Sequence, residues 1–246
     1  MTEAYGAFAF AYDRGLGERF FKAVKRPLDK ALHDHPTALR THLDLACGTG
    51  LVVQHFQRKG WVSTGVDASV AMLGIARDRG SRFVAGDLRA LPLGRTFARI
   101  TCLYDSLNHM TERDDLVAAF RSVRTVMDAD SLFLFDVNHP EIYPVVWGLA
   151  EPYVSNSRVH RLQIATSYRR RERMGRAVVT GWAQIGDRRV EIHEVHRQRA
   201  YSERDLTKAL GEGGLEPVEV IDFDPFEEGE EVQAEGVKMF FVCRAK

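Results

Sequence analysis

The residues best suited to chemistry gather around one glycine-rich turn. Leu43-Asp44-Leu45-Ala46-Cys47-Gly48-Thr49-Gly50 is a short apolar run that breaks into glycines. Glycines let a backbone approach a ligand closely, and a helix beginning just after such a turn presents free N–H groups. A second apolar run, Val62 to Val66, ends in Asp67, which lies 19 residues after Gly48. That is close to the spacing of about 20 at which a strand-end carboxylate meets a ribose hydroxyl. The turn therefore suits a nucleotide-like ligand. A dinucleotide fingerprint, G-x-G-x-x-G, is incomplete because Val53 stands at the third glycine, and the phosphate-cradling G-x-x-x-x-G-K-[ST] pattern is absent. Asp44, just before the glycines, would repel a pyrophosphate and attract a ligand bearing an ammonium group.

The elements that must hold these residues alternate. Strands are expected over 41–46, 61–66, 82–85, 98–104 and 131–137, and helices over 50–59, 69–79 and 113–127, with Ser69 as the cap of the second. Alternation of this kind implies a parallel sheet covered on both faces. Residues 1–37 read as helical and carry Tyr5, Phe8, Phe10, Tyr12, Phe20 and Phe21, and Pro36 closes them. After Pro140 the pattern turns to long charged β-like runs at 159–171, 177–185 and 189–200, with Gly175 and Gly186-Asp187 expected at the turns. These runs predict an antiparallel sheet inserted in the main domain. The α/β pattern then resumes with a helix capped by Ser202 and ended by Gly213-Gly214, and with strands at 217–223 and 237–244 flanking the acidic loop 227–231.

The chain has 246 residues, 45% hydrophobic and 28% charged, enough for one domain with an insertion. Its formal net charge is zero, so no general electrostatic grip on nucleic acid is indicated. Cys47, Cys102 and Cys243 lack metal or disulfide spacing and each sits in an apolar run, which predicts buried free thiols. No signal-peptide pattern and no apolar run of membrane-spanning length is visible, so the cytoplasm is the default expectation, without a membrane partner.

Four ordered blocks give the sequence a family resemblance. They are Asp44-Leu45-Ala46-Cys47-Gly48-Thr49-Gly50, Gly65-Val66-Asp67-Ala68-Ser69, Gly86-Asp87-Leu88, and Cys102-Leu103-Tyr104-Asp105-Ser106-Leu107-Asn108-His109. Together they resemble the motifs of class I S-adenosylmethionine-dependent methyltransferases. The resemblance implies an α/β fold, a Rossmann-like, doubly wound sheet of seven strands in the order 3-2-1-4-5-7-6, the seventh antiparallel, with an antiparallel β insertion after strand 5. It divides the chain into an N-terminal helical lid (1–37), a donor-binding α/β domain (38–140 and 201–246) and an inserted substrate or dimer subdomain (141–200). It further implies S-adenosylmethionine as methyl donor, with S-adenosylhomocysteine as product, held by Ala46, Gly48, Gly50, Asp67, Ala68, Met72, Asp87, Leu88 and Tyr104. Asp67 would take the ribose hydroxyls and Asp87 the adenine amino group, with Met72 and Leu88 on the ring. Tyr5 and Tyr12 resemble lid tyrosines of small-molecule N-methyltransferases, and Arg14 reads either as a surface arginine or as a partner of the donor carboxylate.

Methyl transfer needs alignment and exclusion of water, and a hydroxyl or ammonium acceptor must also lose a proton. His109, Asp105 and Tyr12 are the catalytic candidates, with Tyr104 and Asn108 beside them. The chain lacks the Asn/Asp-Pro-Pro-Tyr/Phe motif of base-amino methyltransferases. Asp136-Val137-Asn138 splits the acid pair of the metal-dependent catechol type, so no metal is expected. The arginines of the insertion read as a solvated face partnered by Glu172, Glu191 and Glu194, as a basic wall for a phosphorylated or carboxylated acceptor, or as a homodimer interface. His193 and His196 lie three apart, so a strand sends them to opposite faces. The reading is methyl transfer to a small-molecule amine or hydroxyl. The alternatives are an RNA or protein methyltransferase and a non-catalytic donor-binding regulator.

Overall fold

The structure is a computed structural model that describes residues 3–80, 82–148, 151–224 and 237–246. The side chain of Tyr5 and the acidic loop 227–231 lie outside the described residues. Seven strands make the main sheet: β1 Thr41–Leu45, β2 Val62–Asp67, β3 Phe83–Ala85, β4 Arg99–Cys102, β5 Leu132–Asn138, β10 Leu215–Phe223 and β11 Lys238–Ala245. Their order is β10-β11-β5-β4-β1-β2-β3, and β11 runs antiparallel to both β5 and β10. This is the expected seven-stranded order, with the last strand in chain sequence wedged between the fifth and the sixth.

Strand β5 shows why the sheet is doubly covered. Its sequence Leu132-Phe133-Leu134-Phe135 is continuously apolar, as a strand buried on both faces must be. Phe133, Phe135 and Val137 point to one side, where they pack with Phe120 and Val123 of α5 (Arg113–Thr125), Leu206 and Leu210 of α7 (Glu203–Glu212), and Phe241. Phe135 and Phe241 stack at 4.7 Å. Leu134 faces the opposite layer, formed by Val24 and Leu28 of α2 (Glu18–Asp34), Val52 and Phe56 of α3 (Leu51–Arg58), and Phe240. Each such side chain contributes on the order of 1.5–3 kcal/mol by burial. Helix α7 begins with a capping box in which Ser202 and Asp205 satisfy each other's backbone N–H groups.

The insertion is a four-stranded antiparallel sheet: β6 Tyr153–Asn156, β7 His160–Arg169, β8 Met174–Ile185 and β9 Arg188–Arg199, in sequential order. A short helix, α6 (Ile142–Val145), leads into it. Gly186 takes the left-handed conformation (φ 57°) in the two-residue β8–β9 turn, as expected. Gly175 does not make a turn. It lies inside β8 opposite Gln198, and the β7–β8 reversal is made at 170–173 with Arg173 at φ 54°. Its lack of a side chain serves packing, since a Cβ there would stand 2.7 Å from the Trp147 ring.

The N-terminal helices divide their work. Helix α2 completes one layer of the main sheet. Helix α1 (Glu3–Tyr12) and the π-helical turn Asp13–Gly17 lie on the inner face of the inserted sheet, where Ala7, Ala11 and Leu16 pack with Leu162, Val179, Ala183 and Ile192. Helix α1 also meets α4 (Val70–Ala76), which puts it across the C-terminal ends of β1 and β2. Among the described residues no helix is long and apolar enough to cross a membrane.

Candidate functional site

At the end of β1 the chain turns through three left-handed residues, Ala46 (φ 50°), Gly48 (φ 53°) and Gly50 (φ 83°). Gly48 and Gly50 adopt this geometry without penalty, and Ala46 holds it at a cost of roughly 1–2 kcal/mol. Gly50 is needed for space too, because a Cβ would lie 2.9 Å from the Phe83 ring. Asp67 ties the turn to the end of β2. Its Oδ2 accepts from the Gly48 N–H at 2.8 Å and its Oδ1 from the Ser69 N–H at 2.7 Å. Each oxygen keeps a further acceptor site. Burial raises the Asp67 carboxyl from its ordinary value, and the two backbone N–H groups oppose that rise.

Asp44 lies beneath this turn and is buried. Burial pushes its carboxyl up to about 7 against a hydrogen bond from Thr101, with nearby Asp67 adding to the rise. Thr101 Oγ1 donates to Asp44 Oδ1 at 2.6 Å, so that hydroxyl accepts from Nε2 of His42 at 2.9 Å. Nδ1 of His42 then faces Ser63 Oγ at 2.7 Å. Burial holds the His42 ring neutral. The chain Ser63–His42–Thr101 thus runs through the sheet and ends on Asp44.

At the end of β4, Tyr104 (φ 64°) and Asp105 (φ 51°) are consecutive non-glycine residues in the left-handed region. Such backbone persists only where its surroundings enforce it. Asp136, fully buried on β5, does so by accepting from the Tyr104 N–H at 2.6 Å and the Asp105 N–H at 3.1 Å. Lys238, the first residue of β11, lies 2.6 Å from both Asp136 Oδ2 and Asp105 Oδ1. Burial works against the Lys238 charge, but the two carboxylates outweigh it and raise its pKa. Gln198 of β9 donates to Asp105 Oδ2 at 2.5 Å and accepts from Asn138 and Tyr143, each at 2.9 Å.

A cavity of about 790 Å³ opens between the two strand ends and β9. Ala46, Asp67, Ala68, Asp87, Leu88 and His109 lie on its wall, as the sequence places them. Gly48, Gly50, Met72, Tyr12, Tyr104 and Asp105 are not on that wall. The glycines shape the turn, and Met72 sits in the first turn of α4 with its N–H on Ser69. Asp87 does not present a free carboxylate, because Arg89 engages both its oxygens and also reaches Asp115. Asp105 has one partner on each oxygen, Lys238 on Oδ1 and Gln198 on Oδ2. Burial raises Tyr12 well above the usual tyrosine range, with Asp105 and Asp67 adding to it. Tyr12 packs in an aromatic row with Phe8 (5.9 Å) and Phe20 (6.3 Å), and Phe20 reaches Tyr104 (6.2 Å). The Tyr104 hydroxyl is buried without a hydrogen-bond partner. Arg14 lies over the Phe10 ring at 4.5 Å. His109 faces Gln198 Nε2 at 3.2 Å, and burial lowers its pKa while Asp105 opposes the fall.

Several site residues escape the sequence reading. Lys238 and Gln198 come from β11 and β9, far along the chain from the motifs they support. Arg79 bonds Asp13 at 2.9 Å and the Thr49 carbonyl at 3.0 Å, which clasps the π-helical turn to the glycine turn. Glu194 corrects the expectation of a solvated partner for the arginines. It lies on the inner face of β9 with a side chain only 9% exposed, next to His196, and both line the cavity. The alternation of β9 carries the signal. Ile192 points inward, so 194, 196 and 198 must follow it. His193 points outward, on the opposite face from His196, as expected. Among the described residues no cluster of three His, Cys, Asp or Glu side chains is arranged to hold a metal. The three cysteines are free and buried.

The sheet order, the antiparallel insertion and the acid-and-glycine strand ends define the class I methyltransferase fold. Residues 43–130 match the methyltransferase domain family. A curated relative from Streptomyces fradiae, dTDP-3-amino-3,6-dideoxy-alpha-D-glucopyranose N,N-dimethyltransferase, is 33% identical over 119 residues, covering 46% of each chain. The chain spans about half the length of the curated relatives it matches. An S-adenosylmethionine-dependent methyltransferase from Clostridium acetobutylicum superposes with a TM-score of 0.77 at 24% identity, over 97% of both chains. CalS10 from Micromonospora echinaspora, an amino pentose methyltransferase solved with S-adenosylmethionine bound, superposes with a TM-score of 0.71 at 20% identity, also over 97% of both.

Proposed function

We propose that the protein transfers a methyl group from S-adenosylmethionine to an amine or hydroxyl of a small-molecule acceptor, with sugar-like acceptors the class its similarities favour. The observation that carries the donor half is Asp67. Its carboxylate stands on the cavity wall, fixed by two backbone N–H groups, with acceptor capacity left for a ribose diol. Ala46 lines the same wall along the glycine turn, Leu88 offers an apolar surface for the adenine, and Asp44 beneath the turn suits the ammonium of the amino acid end. The orphaned Tyr104 hydroxyl supplies an unused hydrogen-bonding group close to Asp44 and Tyr12. S-adenosylmethionine, when bound, supplies an electrophilic methyl on a sulfonium. The protein's own tasks are then to hold the acceptor in line, exclude water and take a proton. Helix α1 and the π-helical turn, clasped by Arg79, serve as the lid that excludes water, and the inserted sheet forms the acceptor wall.

Isothermal titration with S-adenosylmethionine and S-adenosylhomocysteine tests the donor assignment. Both bind, and Asp67→Ala weakens both by about tenfold or more, from the loss of charge-assisted bonds. Absence of binding by folded protein overturns the donor reading, and unchanged affinity in Asp67→Ala overturns the ribose role. Mass-spectrometric detection of methyl transfer to a panel of aminosugars, hydroxylated sugars and phenols then identifies the acceptor.

A further inference from the structure

The inner face of β9 carries a polar stripe of Glu194, His196 and Gln198 at alternate positions. Gln198 is fully occupied by Asp105, His109, Asn138 and Tyr143. The other two are not. Glu194 is nine-tenths buried, and its Oε1 is a buried atom with no hydrogen-bond partner in the protein. His196 presents a buried Nε2, also without a hydrogen bond, 3.1 Å from Glu194 Oε2 but out of line with it. Phe8 of α1 packs on the His196 ring at 5.4 Å and His109 meets it edge-on at 5.9 Å, so its position is fixed from two sides. Both residues line the same cavity as Ala46 and Asp67. A buried carboxylate oxygen without a hydrogen bond is costly, and no packing role accounts for this one. A cationic ligand group would satisfy it.

We infer that Glu194 and His196 form the subsite for the acceptor's reacting nitrogen, which makes the acceptor an amine that arrives as its ammonium. This deepens the methyl-transfer reading and rests on it. Glu194 Oε1 accepts a hydrogen bond from the ammonium. One N–H bond then breaks, its electron pair stays on nitrogen, and the proton passes to Nε2 of His196. The resulting imidazolium is held by Glu194 Oε2. The lone pair of the neutral nitrogen then forms the N–C bond to the methyl as the S–CH3 bond breaks, its electron pair stays on sulfur and S-adenosylhomocysteine leaves; the methylated ammonium and the His196 imidazolium each give up a proton to solvent. A neutral hydroxyl offers the Glu194 carboxylate a weaker partner, so the stripe discriminates by charge.

The test uses the full chain saturated with S-adenosylhomocysteine. It is titrated with 3-amino-3-deoxyglucose and with glucose, each free and dTDP-linked. The amine binds about tenfold tighter than its hydroxyl counterpart in at least one pair, and Glu194→Gln abolishes the difference. Equal affinities in the wild type, discrimination that survives Glu194→Gln, or no amine binding at all overturns the subsite. Failure of S-adenosylhomocysteine itself to bind overturns the donor reading instead. The subsite is then decided by thermal unfolding of the unliganded protein. Glu194→Gln and Glu194→Leu raise Tm by about 2 °C or more, because a group kept for ligand binding is not kept for stability. A fall in Tm in both variants marks the carboxylate as structural and overturns the proposal.

Discussion

The raised Asp44 carboxyl predicts that donor binding releases a proton. The carboxyl is held near 7 by burial, so at pH 6.5 about three-quarters of the unliganded molecules carry a proton there. An α-amino group titrates near 7.7–8.0, so the donor's ammonium is almost fully charged at that pH. Seating the ammonium against Asp44 returns the carboxyl toward its ordinary range, and the proton must leave. The expected release is about 0.75 proton per site, and a return of about three pKa units corresponds to at most roughly 4 kcal/mol of coupling. Calorimetry at pH 6.5 in two buffers of different ionisation enthalpy measures the release directly. Asp44→Asn eliminates it and weakens binding. The same group sets a sign for stability. A carboxyl whose folded pKa lies above its unfolded value costs stability that starts above about pH 4, grows as pH rises, and levels off beyond pH 7. The unliganded wild type therefore loses Tm between pH 4 and 7, and Asp44→Asn loses less. Release below about 0.2 proton in the wild type, or equal release in Asp44→Asn, refutes the reasoning.

Two further perturbations follow from the clasp and the ion triad. Lys238→Met strands the buried Asp136 and costs about 3–5 kcal/mol, roughly 6–20 °C in Tm. The loss is smaller at pH 5 than at pH 8, because burial raises the Asp136 carboxyl and a bound proton relieves it. The double variant Lys238→Met/Asp136→Asn recovers much of the stability in thermal unfolding, and a double variant no better than the single one contradicts the account. Arg79→Ala frees the π-helical turn from the glycine turn, with an expected loss of about fivefold in S-adenosylhomocysteine affinity and faster proteolysis near residues 13–17. Unchanged affinity and unchanged cleavage would show that the clasp does not hold the turn.

The main sheet was legible because each of its strands is a short apolar run with a turn signal beside it. Asp67 was legible for the same reason, since the end of β2 fixes its place. The network around Asp105 was not. Lys238 and Gln198 reach it from 133 and 93 residues away, and nothing local in either strand marks them as partners. Asp105 is legible as a polar group at the end of β4, but its two partners, one on each oxygen, are not. Tyr12 packs between Phe8 and Phe20 while staying within electrostatic reach of Asp105 and Asp67. Glu194 was misread through composition. In a strand crowded with arginine and glutamate, charge suggested solvent, whereas the period of two through Ile192 pointed inward. Gly175 was misread because glycine signals a turn only where the backbone needs one, and here the Trp147 ring needed the room.

The β8–β9 hairpin has a consequence for how such a protein can diverge. Its twelve paired positions, from Met174 opposite Arg199 to Ile185 opposite Arg188, run without a break. Insertion or deletion of a single residue in β9 upstream of Glu194 would swap the faces of the strand, sending Glu194, His196 and Gln198 to solvent and bringing His193, Val195 and Arg197 against α1. A length change there keeps the faces only if a bulge or the turn absorbs it, while point changes at 194 and 196 leave the ladder intact. A lineage can exchange what the wall accepts one letter at a time without rebuilding the sheet that carries it.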